Sequence, residues 1–233
     1  MVDRPGALVI EDTGEVRRLL CEVLRMAGFD VTEAATGAEG LDLIAERHPD
    51  LVTLDLMLPD MDGIEVCRRL RGMTSAYVIM LSGRTEEADR LVGLEVGADD
   101  YMTKPFSPRE LRARVAAMFR RPRRGDLRGS GDRPRILTSG DLVVDEESHE
   151  VRLAGRPVPL TRIEFDLLLL LASNPRRVWT RETLTRMVWH TDWPGNDHVI
   201  DVHVANLRRK LGDDARSGRW VRTVHGVGYR FGG

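Results

Sequence analysis

The chain has 233 residues, of which 42% are hydrophobic and 31% are charged, and its formal net charge is -2. This length suits two domains of ordinary size, and the composition predicts a soluble globular protein. No apolar run approaches the ~18 residues that cross a bilayer, and the acidic N-terminal segment lacks the features of a signal peptide, so we expect a cytoplasmic protein.

The first half alternates short apolar runs with stretches of helical periodicity. The clearest strand candidates are residues 7–10, 50–55 and 76–81, with shorter candidates at Val31–Ala34 and around Tyr101. Helices are predicted at Glu15–Met26, Ala38–Arg47, Gly63–Leu70, Glu86–Val96 and Pro108–Phe119. Five strands alternating with five helices predict a doubly wound α/β domain with a five-stranded parallel sheet.

The second half has a different pattern. After a segment rich in Arg, Gly, Pro and Asp, which predicts a linker at 122–135, residues 140–161 alternate apolar and polar side chains like a small antiparallel sheet. Helices are expected at 162–172, 181–188 and 196–211, followed by a hairpin at 220–231. The predicted domains are therefore 1–121, of α/β class, and 136–233, of α+β class.

The two halves also differ in charge. Residues 1–121 contain 22 acidic and 16 basic side chains, whereas residues 122–233 contain 15 acidic and 19 basic ones. A basic domain is a candidate for contact with a polyanion. A solvated surface can carry the same excess, so charge alone does not decide between these interpretations.

Cys21 and Cys67 are the two cysteines of the chain. Each lies in a helical pattern, and neither belongs to a C-x-x-C pair. We expect two reduced thiols rather than a disulfide or a metal site, as is usual for a protein of the reducing cytoplasm.

Three acidic residues lie where strands of the first domain end. Glu11 and Asp12 follow the first strand, Asp55 ends the third, and Lys104, one of two lysines in the chain, follows the fifth. The carboxyl ends of parallel strands meet at one edge of a sheet, so these side chains should converge. Clustered carboxylates repel one another unless a cation neutralises them, and Mg²⁺ prefers such oxygen ligands. Helix capping would explain any one acid, but not all three together.

These residues resemble a known family. Glu11-Asp12, the segment DLMLPDMDG (55–63), Ser82 and Lys104-Pro105 resemble the receiver domain of bacterial two-component response regulators, which has a flavodoxin-like fold. The resemblance implies that Asp55 accepts a phosphoryl group from a sensor histidine kinase. It also implies a Mg²⁺ site formed by Glu11, Asp12, Asp55 and the backbone carbonyl of Met57. Lys104 would contact the phosphoryl group, and its bond to Pro105 would be cis.

The same resemblance suggests how phosphorylation is transmitted. Ser82 would donate a hydrogen bond to the phosphoryl group, and Tyr101 would move into the space that this loop vacates. The fourth helix, fifth strand and fifth helix would form a homodimer face of mixed charge. Its candidate residues are Arg90, Glu95, Asp99, Asp100, Glu110, Arg114 and Arg121, although a solvated surface has the same mixture.

The second half resembles the winged helix-turn-helix domain of the OmpR/PhoB class, from about Ile136 onward. The resemblance rests on VPLTRIEFDLLLLLA (158–172), TRETLTRMVW (180–189), IDVHVANLRRKLG (200–212) and TVHGVGYRF (223–231). On the last helix, Ile200, Val204, Leu207 and Leu211 form one apolar stripe. The remaining surface of a recognition helix contacts DNA bases in the major groove.

The candidate DNA contacts fall into three groups. Asn206 is expected to pair with adenine, and Val202 is expected either to touch a thymine methyl group or to be partly buried. Arg208, Arg209 and Lys210 are expected to bind phosphates. The other predicted contacts on this surface and in the wing are His198, His203, Arg222 and His225.

Two positions depart from the family pattern. His225 stands where many members have an arginine that enters the minor groove, so this contact is expected to be weaker or pH-sensitive. His190 and the segment 191–197 have an unusual composition, at the connection where such proteins often meet RNA polymerase. RNA polymerase is therefore an expected partner whose contact differs here.

We predict a non-enzymatic DNA-binding transcription regulator, switched by phosphorylation of Asp55, that dimerises and binds promoter repeats. A phosphatase or phosphotransferase would need a second acid two residues after Asp55, where Met57 stands. A nucleotide-binding module would need a glycine-rich turn, but Gly14 is the single glycine in EDTGEV. The remaining alternative is a degenerate regulator that binds DNA independently of phosphorylation.

Overall fold

The structure is a computed structural model that describes residues 4–83, 92–119, 136–189 and 198–232. It divides into two compact units, Met1–Ala116 and Ala117–Gly233. The predicted linker 122–135, Arg90, Arg121, His190 and the segment 191–197 lie outside the described residues. Among the described helices, none is long and apolar enough to cross a membrane.

A five-stranded parallel sheet forms the centre of the first unit. Its strands are β1 (Gly6–Ile10), β2 (Asp30–Ala34), β3 (Leu51–Asp55), β4 (Tyr77–Ser82) and β5 (Asp100–Thr103), in the order β2-β1-β3-β4-β5. Every residue of β3 and β4 is buried, because helices cover both faces of a doubly wound sheet and apolar runs suit such strands. The predicted fold class is confirmed.

The described helices of this unit are Gly14–Met26, Gly37–Arg47, Gly63–Leu70 and Pro108–Met118. Within the predicted helix Glu86–Val96, the described helical residues are 92–95. Side-chain caps stabilise the N-termini of two of these helices. The side chain of Thr36 accepts a hydrogen bond from the backbone N–H of Glu39, and that of Asp62 accepts one from the backbone N–H of Ile64. Gly63 allows its helix to begin against β3, because a Cβ there would lie 2.3 Å from the carbonyl oxygen of Asp55.

Both cysteines are free and buried, as the sequence predicts. Burial raises the pKa of each thiol to about 11, assisted at Cys21 by the neighbouring carboxylate of Glu33. Thiols of this kind are poor nucleophiles at neutral pH, so the two cysteines contribute to packing.

The described residues of the second unit form two antiparallel sheets and three helices. Strands β6 (Ile136–Ser139), β7 (Leu142–Asp145), β8 (Glu150–Leu153) and β9 (Arg156–Pro157) form the first sheet in that order. Strands β10 (Trp179–Thr180), β11 (Val221–Val224) and β12 (Gly228–Phe231) form the second in the order β10-β12-β11. The helices are Arg162–Ser173, Arg181–Trp189 and His198–Leu211. This is the winged helix-turn-helix arrangement that the sequence predicts.

Helix His198–Leu211 packs on the core through the predicted stripe. Ile200, Val204, Leu207 and Leu211 are all buried. At the start of helix Arg162–Ser173, Thr161 and Glu164 form a reciprocal capping box. The 3.6-residue period of these four apolar residues thus identifies the centre of the buried side of the last helix.

The turn after this last helix is held by one carboxylate. Asp213 Oδ1 accepts from the backbone N–H groups of Asp214 and Arg219 and from the Ser217 hydroxyl, while Oδ2 accepts from the N–H groups of Trp220 and Val221. Burial opposes ionisation of Asp213, but these donors outweigh it and lower its pKa. The carboxylate thereby positions the start of β11.

We expect Asp213→Asn to lower the free energy of unfolding of the second unit by about 2–4 kcal/mol at neutral pH, since hydrogen bonds to a charged carboxylate are lost. Because the folded pKa lies below the unfolded value, this stabilisation is complete above the unfolded pKa and disappears as pH falls through the folded one. All four tryptophans lie after Val178, so tryptophan fluorescence during denaturation reports on this unit. A difference between variant and wild type that persisted at pH below the folded pKa would contradict the assignment.

Candidate phosphoacceptor site and nucleic-acid interface

The acidic cluster predicted from the sequence forms at the carboxyl edge of the parallel sheet. Because β1 and β3 are neighbours, Glu11 and Asp12 lie beside Asp55, and one carboxylate oxygen from each lies within 4.8 Å of the others. Glu11 and Asp55 are buried, whereas Asp12 is exposed. Three hard oxygen donors with one open side fit Mg²⁺, which binds few carboxylates and retains waters or phosphate oxygens.

Lys104 reaches this cluster from the end of β5. Its Nζ lies 2.6 Å from Glu11 Oε2 and 2.8 Å from Asp55 Oδ2. Its backbone N–H donates to the carbonyl of Ser82 at 2.7 Å, and the Lys104–Pro105 peptide bond is cis. The ammonium therefore bridges the two buried carboxylates and is held in place through both its side chain and its backbone.

Burial and neighbouring charges determine the pKa shifts of Glu11 and Lys104. Burial raises the pKa of Glu11, and the nearby Asp55 carboxylate raises it further, against the opposing effect of Lys104. At Lys104 burial acts to lower the pKa, but the hydrogen bonds and charges of Asp55 and Glu11 outweigh it, so the pKa is raised. Lys104 is thus a cation at neutral pH and compensates the charge of the acids.

The loop after Asp55 is fixed by contacts that the sequence does not reveal. The N–H of Met57 donates to Asp55 Oδ1 at 3.2 Å, whereas metal ligation by the Met57 carbonyl stays a prediction. Asp60 accepts from the N–H groups of Gly37 and Ala38, both at 2.9 Å. These bonds attach the loop after Asp55 to the first turn of helix Gly37–Arg47, where a negative charge is favourable.

Arg17 supports the opposite side of the cluster. Its Nη1 donates to the carbonyl of Glu11 at 2.7 Å and to that of Asp12 at 3.1 Å. No sequence signal identifies either Arg17 or Asp60, because both act on backbone groups that fold close to them. A charged residue on a solvated helix or loop looks the same in the sequence.

Ser82 and Tyr101, the predicted switch residues, are both buried in this structure. Tyr101 is 4% exposed, and its ring lies beside Gly93, where a Cβ would be 3.5 Å from the ring carbon Cδ2. Their strands are paired, with Tyr101 opposite Met80 two residues before Ser82. The structure therefore holds Tyr101 in the inward position, and its movement stays a prediction.

The predicted dimer face needs correction at Asp99 and Asp100. Asp99 is fully buried and pairs with Arg71 inside the unit. Asp100 is 2% exposed and accepts from Arg114 at 2.8 and 2.9 Å. The sequence prediction was wrong on their exposure, since it took charged residues at a strand end to be on the surface, whereas arginines on neighbouring helices draw them inside.

The rest of that face is described in part. Arg114 also donates to Glu110 at 2.7 Å, so the two residues form an ion pair within one helix. Glu95 is exposed. Arg90 and Arg121 lie outside the described residues, and the predicted contact between two copies therefore remains a prediction.

The recognition helix His198–Leu211 requires another correction. His203 and Asn206 are 1% and 3% exposed, so the expectation that they face DNA is wrong for this structure. They lie beside the core stripe, and His203 packs against Trp189 with ring centroids 5.6 Å apart. Val202 is partly exposed and Ala205 is exposed; Ala205 was missed because alanine gives no polar signal. The side chain of His198 is outside the description.

The predicted phosphate-binding cations divide into two kinds. Arg208 donates to the carbonyl of Val221 at 2.7 and 3.1 Å and to the Thr223 hydroxyl at 2.8 Å, joining the helix to β11. Lys210 Nζ lies 2.6 Å from the buried carboxylate of Glu164. These two side chains hold the domain together, contrary to their predicted use as phosphate contacts.

The other cations remain on the surface. Arg209 is exposed, and its Nη2 donates to Asn206 Oδ1 at 2.8 Å, so the buried amide orients this guanidinium. In the hairpin, Arg222 and His225 are exposed, and Gly226 adopts a φ of 74° at the turn. The surface available to DNA on the described part of this unit thus includes Val202, Ala205 and Arg209 on the helix, and Arg222 and His225 on the wing.

Comparisons with known proteins match each half of the chain to a known domain. Residues 7–116 match the response regulator receiver domain, and residues 155–231 match the C-terminal domain of transcriptional regulatory proteins. The chain is 43% identical over 230 residues to the DNA-binding response regulator MtrA of Mycolicibacterium smegmatis, covering 98% of this chain and 97% of that protein. It is 42% identical over 237 residues to the transcriptional regulatory protein CseB of Streptomyces coelicolor, covering 99% of each.

A solved structure contains the same two kinds of domain. The crystal structure of the response regulator DrrB, an OmpR/PhoB homologue from Thermotoga maritima, is 34% identical and covers 99% of this chain and 100% of that one, with a TM-score of 0.52. The similarity extends over both units.

Proposed function

This chain belongs to the OmpR/PhoB class of two-component response regulators, and we propose that phosphorylation of Asp55 by a sensor histidine kinase controls its binding to promoter DNA. The observation that carries the proposal is the position of Lys104, whose ammonium bridges the buried carboxylates of Glu11 and Asp55. Such a cation beside a paired carboxylate has the position needed to bind an incoming phosphoryl oxygen.

The chemistry is a transfer between two nucleophiles. A carboxylate oxygen of Asp55 attacks phosphorus, the bond from phosphorus to the kinase imidazole nitrogen breaks, and the imidazole leaves after gaining a proton. Glu11, Asp12 and Asp55 would hold Mg²⁺, which supplies positive charge to the phosphoryl oxygens during transfer. Lys104 would exchange one carboxylate partner for a phosphoryl oxygen and stabilise the charge there.

The phosphorylated site then acts on the edge that contains Ser82 and Tyr101. The backbone bond from Lys104 to the Ser82 carbonyl already joins the two strand ends that would respond. Loss of Lys104 from the Glu11–Asp55 pair would change the position of this loop, and a homodimer would follow on the adjoining face. Comparing the sedimentation and DNA affinity of the protein before and after treatment with a small-molecule phosphodonor and Mg²⁺ tests this step.

The second unit is proposed to place one recognition helix in the major groove of each half-site. A dimer on direct repeats would contact half-sites about one helical turn apart, or ~10–11 bp. The partly exposed Val202 and the exposed Ala205 offer small apolar contacts, and Arg209 offers a cation. RNA polymerase is the expected partner of the protein when it is bound to a promoter. The protein would act in the cytoplasm, because the bacterial chromosome lies there.

We expect Arg209→Ala to weaken DNA binding and to reduce the slope of log affinity against log salt by about one, because one phosphate or base contact is lost. Lys210→Ala is a matched control that removes a cation from the same turn. It should leave the salt slope unchanged and instead destabilise the unit, since Glu164 would remain buried without its ammonium. Equal salt slopes for Arg209→Ala and wild type would contradict the assignment of Arg209.

We expect His225→Arg to tighten binding to A·T-rich duplexes by about threefold to tenfold, because an arginine is a permanent cation and the narrow minor groove of such duplexes attracts it. Fluorescence anisotropy with A·T-rich and G·C-rich duplexes at constant salt measures the effect. An equal gain on both duplexes would indicate a general charge effect, and no gain would show that the wing does not enter the groove.

The second candidate is a regulator that binds DNA without phosphorylation. It would need a site unable to hold or use a phosphoryl group. The cluster of three carboxylates with a bridging lysine favours the phosphorylated mode.

A further inference from the structure

Asp201 lies on the flank of the recognition helix and contacts two other elements. Its Oδ1 accepts from Arg181 Nε at 2.7 Å and from the Tyr229 hydroxyl at 2.7 Å. Arg181 begins the preceding helix, Asp201 is in the first turn of the recognition helix, and Tyr229 is in β12 of the wing hairpin. One carboxylate oxygen thus joins the three elements that form the nucleic-acid interface.

The burial of these three side chains differs. Tyr229 is 5% exposed, whereas the side chains of Asp201 and Arg181 are 33% and 31% exposed. Two arginines also lie near the Tyr229 ring, with the guanidinium carbons of Arg181 and Arg208 at 5.2 and 5.7 Å from its centroid. The carboxylate therefore lies at the boundary between the interior and the solvent, with part of its surface exposed.

The negative charge of Asp201 is unexpected on a surface proposed to bind DNA, so its bonds are the feature that suggests a role. An acid on a surface that approaches phosphates repels them, so a side chain with no other role would weaken binding. Its bonds to Arg181 and Tyr229 should strengthen binding instead. They fix the angle between the recognition helix and the preceding helix, and the distance from both helices to the wing. Binding by a preorganised surface avoids the loss of freedom on association.

We propose that Asp201 is a positioning residue for DNA binding, which sets the recognition helix, Arg181 and the wing strand in one arrangement before DNA arrives. The proposal rests on the DNA-binding role given above. Charge repulsion alone predicts that removal of this negative charge strengthens DNA binding. If Asp201 is a positioning residue, its removal should weaken DNA binding.

The test compares three variants of the full chain on a labelled duplex selected by the wild-type protein from a random-sequence pool. Asp201→Asn keeps the shape and loses the charge, Tyr229→Phe removes one donor without changing charge, and Glu182→Gln removes an exposed acid from the neighbouring helix. We expect Asp201→Asn to raise the dissociation constant about tenfold, Tyr229→Phe to raise it less, and Glu182→Gln to leave it unchanged or lower it.

A spectroscopic readout separates positioning from general damage. Burial raises the pKa of Tyr229 to about 12, assisted by the hydrogen bond to Asp201 and by its charge. Tyrosinate absorbance, with Tyr229→Phe as the reference, should therefore show a lower Tyr229 pKa in Asp201→Asn than in the wild type. Denaturation followed by tryptophan fluorescence verifies that each variant is folded. Binding by Asp201→Asn that equals or exceeds wild type, or an unchanged tyrosine pKa, would overturn the inference. Failure of the wild type to bind any duplex would instead refute the DNA-binding role itself.

Discussion

Asp55→Asn is expected to abolish phosphorylation of this protein by a small-molecule phosphodonor and with it the change in DNA affinity and assembly. The amide is a far weaker nucleophile than the carboxylate, and it removes one of the anionic oxygens proposed to hold Mg²⁺. The fold should survive, because an asparagine can occupy the position of Asp55 and still accept from the N–H of Met57. Transfer of radiolabelled phosphate in the presence of Mg²⁺ measures the loss.

Asp60→Asn is the matched control for that experiment. Asp60 lies in the same loop and carries the same charge, but its carboxylate accepts backbone bonds from Gly37 and Ala38 instead of facing the cluster. These bonds lower its pKa, so the substitution should decrease stability above the unfolded pKa while phosphorylation persists. Full labelling of Asp55→Asn would show that another residue accepts the phosphoryl group.

Lys104→Arg is expected to separate phosphorylation from its consequences. The lysine Nζ fits between Glu11 Oε2 and Asp55 Oδ2, at 2.6 and 2.8 Å, through a slim stem that is 21% exposed. A planar guanidinium has the same charge, but its larger head cannot occupy that position without displacing an acid. We expect Asp55 to be labelled, more slowly, and phosphorylation-dependent dimerisation to decrease at least about tenfold, since the loop is no longer drawn in through Lys104.

The other lysine provides the control for this substitution. Lys210 pairs with Glu164 in the second unit, where an arginine can form the same ion pair. Lys210→Arg should therefore retain labelling and dimerisation, which excludes a general effect of replacing lysine. Sedimentation of the phosphorylated proteins measures the difference, and dimerisation of Lys104→Arg at the wild-type level would contradict a special role for the ammonium.

The sequence predicted the fold and the acidic cluster because both depend on local patterns. Buried parallel strands appear as short apolar runs, and residues that directly follow such strands must lie at one edge of the sheet. Glu11, Asp12, Asp55 and Lys104 follow strands in this manner, so their convergence required no knowledge of side-chain contacts.

The errors occurred where a charged or polar residue has a partner distant in the sequence. Asp99 and Asp100 are drawn inside by Arg71 and Arg114, which lie 28 and 14 residues away. His203 and Asn206 are also buried, because the buried side of the last helix is wider than the predicted stripe of four apolar residues. Asp60 and Asp201 were missed for the same reason, since their partners are also distant in the sequence. Arg17 was missed although its partners are close, because it binds backbone carbonyl groups, which every residue has.

The central claim is that Glu11, Asp12, Asp55 and Lys104 form one Mg²⁺-dependent phosphoacceptor site. The most direct measurement is to phosphorylate the wild-type protein with a small-molecule donor, reduce the acyl phosphate with borohydride, and locate the modified residue by mass spectrometry. We expect conversion of Asp55 alone to homoserine and loss of this product when a chelator removes divalent cations. Reduction at a different residue, or modification of Asp55 that does not depend on divalent cations, would contradict it.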